Sequence, residues 1–284
     1  MTRRHPEKGV VLVTILSVMA LCVTVIVAMT TRSEQATLST ARDLDQVQAQ
    51  SLATSAELLV LSALKSDLST APDADGPAEP WLQIAPSGPN PGAVHISVWD
   101  ESARFNLNTL LEGSPTGRNY LRLIVAAAGL PPEAGIRISA ALRGGHPLQQ
   151  ISDLLSRAGL SEAEVATLAP LVTCAPPVSR TVNLNTASDT LVRAMLKNPE
   201  QAADLLTRRK IGMITPDVLS EMGLILPAGL SLRSTVFGLQ ITAAFGGAKV
   251  QTYARIQRWV APDGTPHAVI SARKWISSSF TADL

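Results

Sequence analysis

From Val10 to Met29 the chain carries no charge, no proline and no glycine. A helix of that length rises about 30 Å, the depth of a bilayer's hydrocarbon core. No other stretch restricts the fold as strongly, because lipid leaves a lone segment only the helix in which to satisfy its backbone. Arg3, Arg4 and Lys8 precede the run and Arg32 follows it. The short basic leader is expected to stay in the cytoplasm, which sends the chain from about residue 30 to the far side. A secretory signal has a shorter apolar run that ends in a small-x-small site. Thr30-Thr31-Arg32-Ser33-Glu34 is a poor match to one.

Neither glycine nor proline interrupts Ser33 to Asp67. Leu38, Ala41, Leu44, Val47, Leu52, Ala56, Leu59, Val60, Ala63 and Leu64 recur mostly in steps of three and four, an amphipathic pattern. One helix over 10–68 is therefore predicted, with 10–29 in lipid and the rest against a soluble domain. Ala71 to Pro80 holds three prolines and a glycine and ends it. Asp73, Asp75, Gly76 and Glu79 lack the remainder of a calcium loop, so a solvated turn is expected there. Residues 93–99 alternate as a strand, with His95 on one face. Residues 234–245 and 249–260 flank Gly246-Gly247 as a hairpin, and a turn at Pro262-Asp263-Gly264-Thr265 leads into a third strand over 267–275.

Between these strands the pattern hydrophobic-Asn-Leu-Asn-Thr occurs at Phe105-Asn106-Leu107-Asn108-Thr109 and again at Val182-Asn183-Leu184-Asn185-Thr186. Asn and Thr accept bonds from the exposed N–H groups that begin a helix, so each copy is expected to cap one. Short helical patterns at 120–128, 151–158, 162–168, 190–196, 201–210 and 216–222, parted by Gly and Pro, make the block helical.

A few basic residues, then Gly9, then an uninterrupted apolar helix resembles the class III signal of type IV pilins and type II secretion pseudopilins. The resemblance implies that a prepilin peptidase cuts between Gly9 and Val10 and methylates Val10. Most members carry glutamate at the fifth mature residue, which here is Thr14. The minor pseudopilin K family (GspK) characteristically lacks it, and a helical insert opened and resumed by Asn-Leu-Asn-Thr resembles that family too. The fold so implied is α+β, a pilin-like long N-terminal helix packed on an antiparallel sheet with a large inserted all-α domain of SAM-like or helix-hairpin-helix-like kind. Its parts would be a leader at 1–9, the helix at 10–68, the first part of the head at 69–104, the insert at 105–230 and the completing strands at 231–284.

The function implied is capping the pseudopilus tip and helping to start its assembly, for export of folded proteins across the outer membrane. The partners implied are minor pseudopilins I and J, pseudopilin H and major pseudopilin G, the prepilin peptidase and the inner-membrane assembly platform, with the secretin or cargo as a further contact. The location implied is the bacterial inner membrane, single-pass, with the C-terminal domain periplasmic. Calcium binding is associated with an acidic stretch in this family. The matching Ala140 to Pro147 has no carboxylate, so no metal or other cofactor is expected.

Residues 183–188 also resemble helix-hairpin-helix modules, which would make a membrane-anchored, competence-like DNA-binding protein. Such modules need a Gly-hydrophobic-Gly hairpin, and Lys197-Asn198-Pro199-Glu200 stands in its place. Arg208-Arg209-Lys210 reads as solvated surface at a helix end. The formal net charge of +1 gives no electrostatic footprint for nucleic acid, which is not expected as a partner. No nucleophile elbow, zinc motif or phosphate loop occurs, so no catalytic residue is assigned and no enzyme is expected. Cys174 lacks a nearby base and is expected to be a small buried residue, while Cys22 lies in the apolar run. His5, His95, His146 and His267 are scattered singly.

Overall fold

The computed structural model of the chain describes residues 7–71, 73–84, 94–143 and 145–279, with the backbone alone for 7–10, 83 and 277–279. Arg3 and Arg4 lie outside the described residues, and Lys8, Gly9 and Val10 enter as helical backbone. One helix, α1, runs unbroken from Glu7 to Thr70. Among the described residues it alone is long and apolar enough to cross a membrane. Its hydroxyls bond back into its own turns: Thr14 Oγ1 donates to the Val11 carbonyl at 3.1 Å and Ser17 Oγ to that of Val13 at 2.8 Å.

After a 3-10 turn at Pro80–Gln83 comes β1 (Val94–Asp100). The insert then runs β2 (Phe105–Asn106), α2 (Pro115–Ala127), α3 (Pro132–Leu142), α4 (Asp153–Arg157), α5 (Glu162–Leu168) and β3 (Val172–Thr173). It continues through β4 (Val182–Asn183), α6 (Asp189–Met195), α7 (Pro199–Ile211), α8 (Pro216–Glu221) and β5 (Leu230–Ser231). Three long strands close the chain: β6 (Val236–Phe245), β7 (Ala248–Val260) and β8 (Pro266–Ser279).

The main sheet is antiparallel in the order β1-β6-β7-β8, and α1 lies across it. The stripe that α1 buries keeps Ala56, Val60 and Leu64 of the expected pattern but departs from it toward the membrane run. Ala49, Ala53, Ala56, Val60 and Leu64 face the sheet, while Leu38, Leu44, Val47, Leu58 and Leu59 stay exposed. Small side chains let the helix axis approach the strands closely. Ala53, Ala56, Val60 and Leu64 meet Trp81, Phe237, Leu239, Ile241 and Ile256, with Trp81 set edge-on to Phe237 at 4.8 Å, and Ala49 packs with Ala248 and Val250. The larger residues are left on the outer face. Below Asp45 the rod stands clear of the head.

Two contacts fix the direction of α1 along the sheet. Asp45 accepts a bond from the Gly247 N–H at 2.9 Å, at the turn between β6 and β7, where Gly246 takes φ 53°. At the other end Asp67 meets Arg258, near the start of β6. The insert therefore leaves from Asp100 and returns to Val236 at the pole of the sheet farthest from the membrane run. Cross-strand from Trp99 stands Gly238, over which the indole lies so closely that no Cβ fits.

Candidate functional site

The two Asn-Leu-Asn-Thr copies are the framework of the insert, and they do more than cap. In each, the first asparagine closes a local turn through its Oδ1, which accepts the N–H of Asn108 at 3.1 Å or Asn185 at 2.9 Å. Its amide then spans to distant chain. Asn106 donates to the carbonyls of Pro176 and Ser179, both at 2.9 Å. Asn183 donates to the Asp75 carbonyl at 3.1 Å and Ser234 Oγ at 2.7 Å.

The second asparagine grips the N–H and the carbonyl of one distant residue together. Asn108 accepts the Leu148 N–H at 2.8 Å and donates to the Leu148 carbonyl at 2.9 Å and that of Ala175 at 2.8 Å. Asn185 accepts the Ile214 N–H at 2.8 Å and donates to the Ile214 carbonyl at 2.9 Å. A carboxamide alone offers both a donor and an acceptor in the layout of a peptide group. Leu107 and Leu184 point into the core. Each copy opens on a two-residue strand paired in parallel with the end of its own half, β2 with β3 and β4 with β5. The insert is thus two similar halves in tandem.

The expectation that each copy caps a helix holds for the first copy only in a shorter form and needs correction for the second. Asn106 caps the 3-10 helix Leu107–Glu112, while Asn183, Asn185 and Thr186 lead into a turn before α6. The helices that follow are capped instead by Ser114 and Ser188, whose hydroxyls accept from Gly117 and Leu191. Thr109 donates back to the Asn106 carbonyl at 2.7 Å. Thr186 donates to the Asp100 carboxylate at the end of β1, which ties the second half to the sheet.

Where insert and head meet lies a buried polar cluster that sequence reasoning missed. Arg258, only 1% exposed, sits over the Phe237 ring at 4.7 Å. It donates to Asp67 at 2.6 Å and to the Ser234 carbonyl at 3.1 Å, and its other terminal nitrogen is ion-paired with Asp75. The expected solvated turn after α1 is thereby overturned at its centre, where Ala74 and Asp75 are buried. Neutralising Arg258 draws Asp75 inward, and its carboxylate also accepts the Ser234 N–H. Arg258 shares its phase with Val250, Ala254 and Ile256 on β7, an inward arginine that the alternation itself could have flagged.

Asp100 accepts from the Ser102 N–H at 2.7 Å and from the hydroxyls of Thr186 and Ser234, with Asp75 as a like-charged neighbour. Burial outweighs those bonds and pushes its carboxyl up to about 6. A carboxyl raised in the folded state binds protons that the unfolded chain releases, so its contribution to stability grows as pH falls through 6 and is complete near 4. Glu57 beside Arg273 and Glu79 beside Asp67 are raised by burial too, with the same sign. The melting temperature is expected to rise on the order of 5 °C between pH 7.5 and 5. Calorimetry checks this, and Asp100→Asn should flatten the rise.

The basic run at the end of α7 is also not simply solvated. Arg209 donates to the carbonyls of Leu184 and Ala187, both at 2.7 Å, and pairs with Asp189. Arg208 faces Asp204 and Glu221, and Lys210 is exposed. Charge spent inside the second half is not available to phosphates. Cys174 is buried, and burial lifts its thiol to about 12, where no thiolate forms. His95 stands exposed on the face of β1, and His267 stacks on Trp259 at 5.2 Å. Among the described residues no group of three or more His, Cys, Asp or Glu side chains is placed to hold a metal ion.

No family model matches the chain. It is 25% identical over 285 residues to type II secretion system protein K of Klebsiella pneumoniae, covering 88% of this chain and 79% of that protein. To the protein of the same name from Pectobacterium carotovorum subsp. carotovorum it is 24% identical over 282 residues, covering 84% and 86%. Its fold matches a chain in the crystal structure of the GspK-GspI-GspJ complex from the type 2 secretion system of enterotoxigenic Escherichia coli. The TM-score is 0.60 at 19% identity, over 81% of this chain and 96% of that one. By sequence and by fold the chain is similar to type II secretion system protein K, and its apolar rod, the sheet the rod crosses and the two-halved insert fit a minor pseudopilin of that kind.

Proposed function

We propose that the chain is the terminal subunit of the pseudopilus, joined below by minor pseudopilins I and J, and that it helps to start assembly. The observation that carries this reading is the place of the insert. It rises from the β1–β6 connection at the membrane-distal pole, where a further subunit would have to stack. The uncovered leucines of α1 support lateral packing against neighbouring rods. Thr14 brings no charge into the bilayer, which suits a subunit that follows no other.

On this reading Met1 to Gly9 is removed, Val10 becomes the methylated N-terminus, and the head lies in the periplasm with the leader side cytoplasmic. The subunit acts by shape and contact, with no chemistry of its own and no bound cofactor. Mass spectrometry of the membrane-extracted chain is expected to find a methylated Val10 at its start. Immunogold labelling of the head should decorate one end of each pseudopilus. Label along the shaft, or a freely soluble chain trimmed near Met29, would overturn the proposal.

A further inference from the structure

On the outer face of the first half of the insert, α2 and α3 part to leave a groove of about 420 Å³. Leu121, Val125 and Gly135, all buried, form its floor. Gly135 keeps that floor low opposite Val125, since a Cβ there would stand 3.6 Å from Val125 Cγ2. Ile136 stands in the groove 67% exposed. An isoleucine so open, above an apolar floor, gains by being covered.

Arg118, Arg122 and Arg143 rim the groove, all exposed, and no acidic side chain lines it. Arg118 donates to the Gly113 carbonyl at 2.5 Å and Arg122 to Asn119 Oδ1 at 3.0 Å. Among the described residues none of the three forms an ion pair. Arg104, Arg137, Arg180, Arg208 and Arg209 each face a carboxylate. Three of the four arginines of this half without an ion pair among the described residues thus rim an aliphatic trough, and the fourth, Arg157, donates to the carbonyls of Ala141, His146 and Pro147.

We propose that the groove docks an acidic amphipathic segment of a partner protein. One aliphatic side chain enters the trough against Val125 and Ile136, and carboxylates meet the arginines. Arg118 and Arg122 stand one helical turn apart, so carboxylates spaced by a turn on a bound helix reach both. Nucleic acid fits less well, because its bases would need aromatic or hydrogen-bonding groups where the floor offers only aliphatic ones. The charged rim gives orientation and encounter rate, and the trough gives adhesion.

The test replaces Ile136 by the photo-crosslinker p-benzoylphenylalanine in the full chain, in cells with an intact secretion system. Adducts are sequenced by mass spectrometry. The expected adduct is a peptide with at least two Asp or Glu within a turn or so of an aliphatic residue. Combining Arg118→Glu, Arg122→Glu and Arg143→Glu should cut its yield about tenfold. A crosslinker at Ile225, 90% exposed and outside the groove, should not give it. An adduct with lipid or nucleic acid, a peptide without acidic residues, no adduct, or a yield indifferent to charge reversal would each overturn the proposal. Should the reversed chain melt earlier, the three glutamine variants are read instead, with the same expectations.

Discussion

Arg258→Met is expected to cost about 3–5 kcal/mol of stability. The guanidinium is the buried positive charge held against Asp67 and Asp75, and both carboxylates are themselves buried. Removing it leaves two desolvated acids without their cation. A methionine of similar length keeps much of the contact over Phe237, so the loss measures electrostatics more than packing. Urea unfolding monitored through Trp81, whose ring packs against Phe237, reads the effect where it arises. Adding Asp67→Asn and Asp75→Asn should restore a large part, because a neutral buried set is cheaper than a half-broken charged one. Recovery below about 1 kcal/mol would mean that lost packing, not stranded charge, was the cause.

Asn185→Ala should cost about 3 kcal/mol, since it strips partners from both the N–H and the carbonyl of buried Ile214. Asn185→Asp is the sharper test. Aspartate keeps the acceptor for the Ile214 N–H but turns an oxygen toward the Ile214 carbonyl. It should match or exceed the alanine loss at neutral pH and recover on acidification, when the protonated carboxyl donates again. Hydrogen exchange at the Ile214 amide should quicken in both variants. Asn108→Ala is expected to behave alike, with the Ala175 carbonyl orphaned as well. If either substitution left stability and exchange unchanged, the repeated asparagines would not be the brackets the geometry makes them.

The strands and the long helix were legible because periodicity reports them directly. The alternation of β7 and the Gly246-Gly247 turn, with the rod free of breakers, needed no partner to be read. Which face of α1 is buried was legible toward its C-terminal end, where Ala56, Val60 and Leu64 fall in the apolar pattern, and not nearer the membrane run. There composition favours leucine for burial, yet close packing on a sheet selected Ala49 and Ala53. The repeat was visible as a pattern, but its meaning was local in sequence terms and distant in space. Asn185 and Ile214 meet only once the second half is folded. Asp75 was hidden for the same reason: in a stretch of prolines it looks solvated until Arg258, far along the chain, comes to rest beside it.

β1 and β6 are hydrogen-bonded neighbours paired from Asp100 and Phe237 outward, so all that lies between them is, topologically, the loop of a single hairpin. Closing a loop grows costlier only with the logarithm of its length, and this one carries a core of its own. Its two roots are pinned side by side by Asp100, Thr186 and Ser234. The strand pairing alone therefore sets no limit on the size of this excursion, while Thr186 and Asn183, which bond to Asp100 and to the Asp75 carbonyl, are the parts of it that the head needs. How wide the molecule is, and how it seats in a bilayer, are settings that this topology lets vary independently.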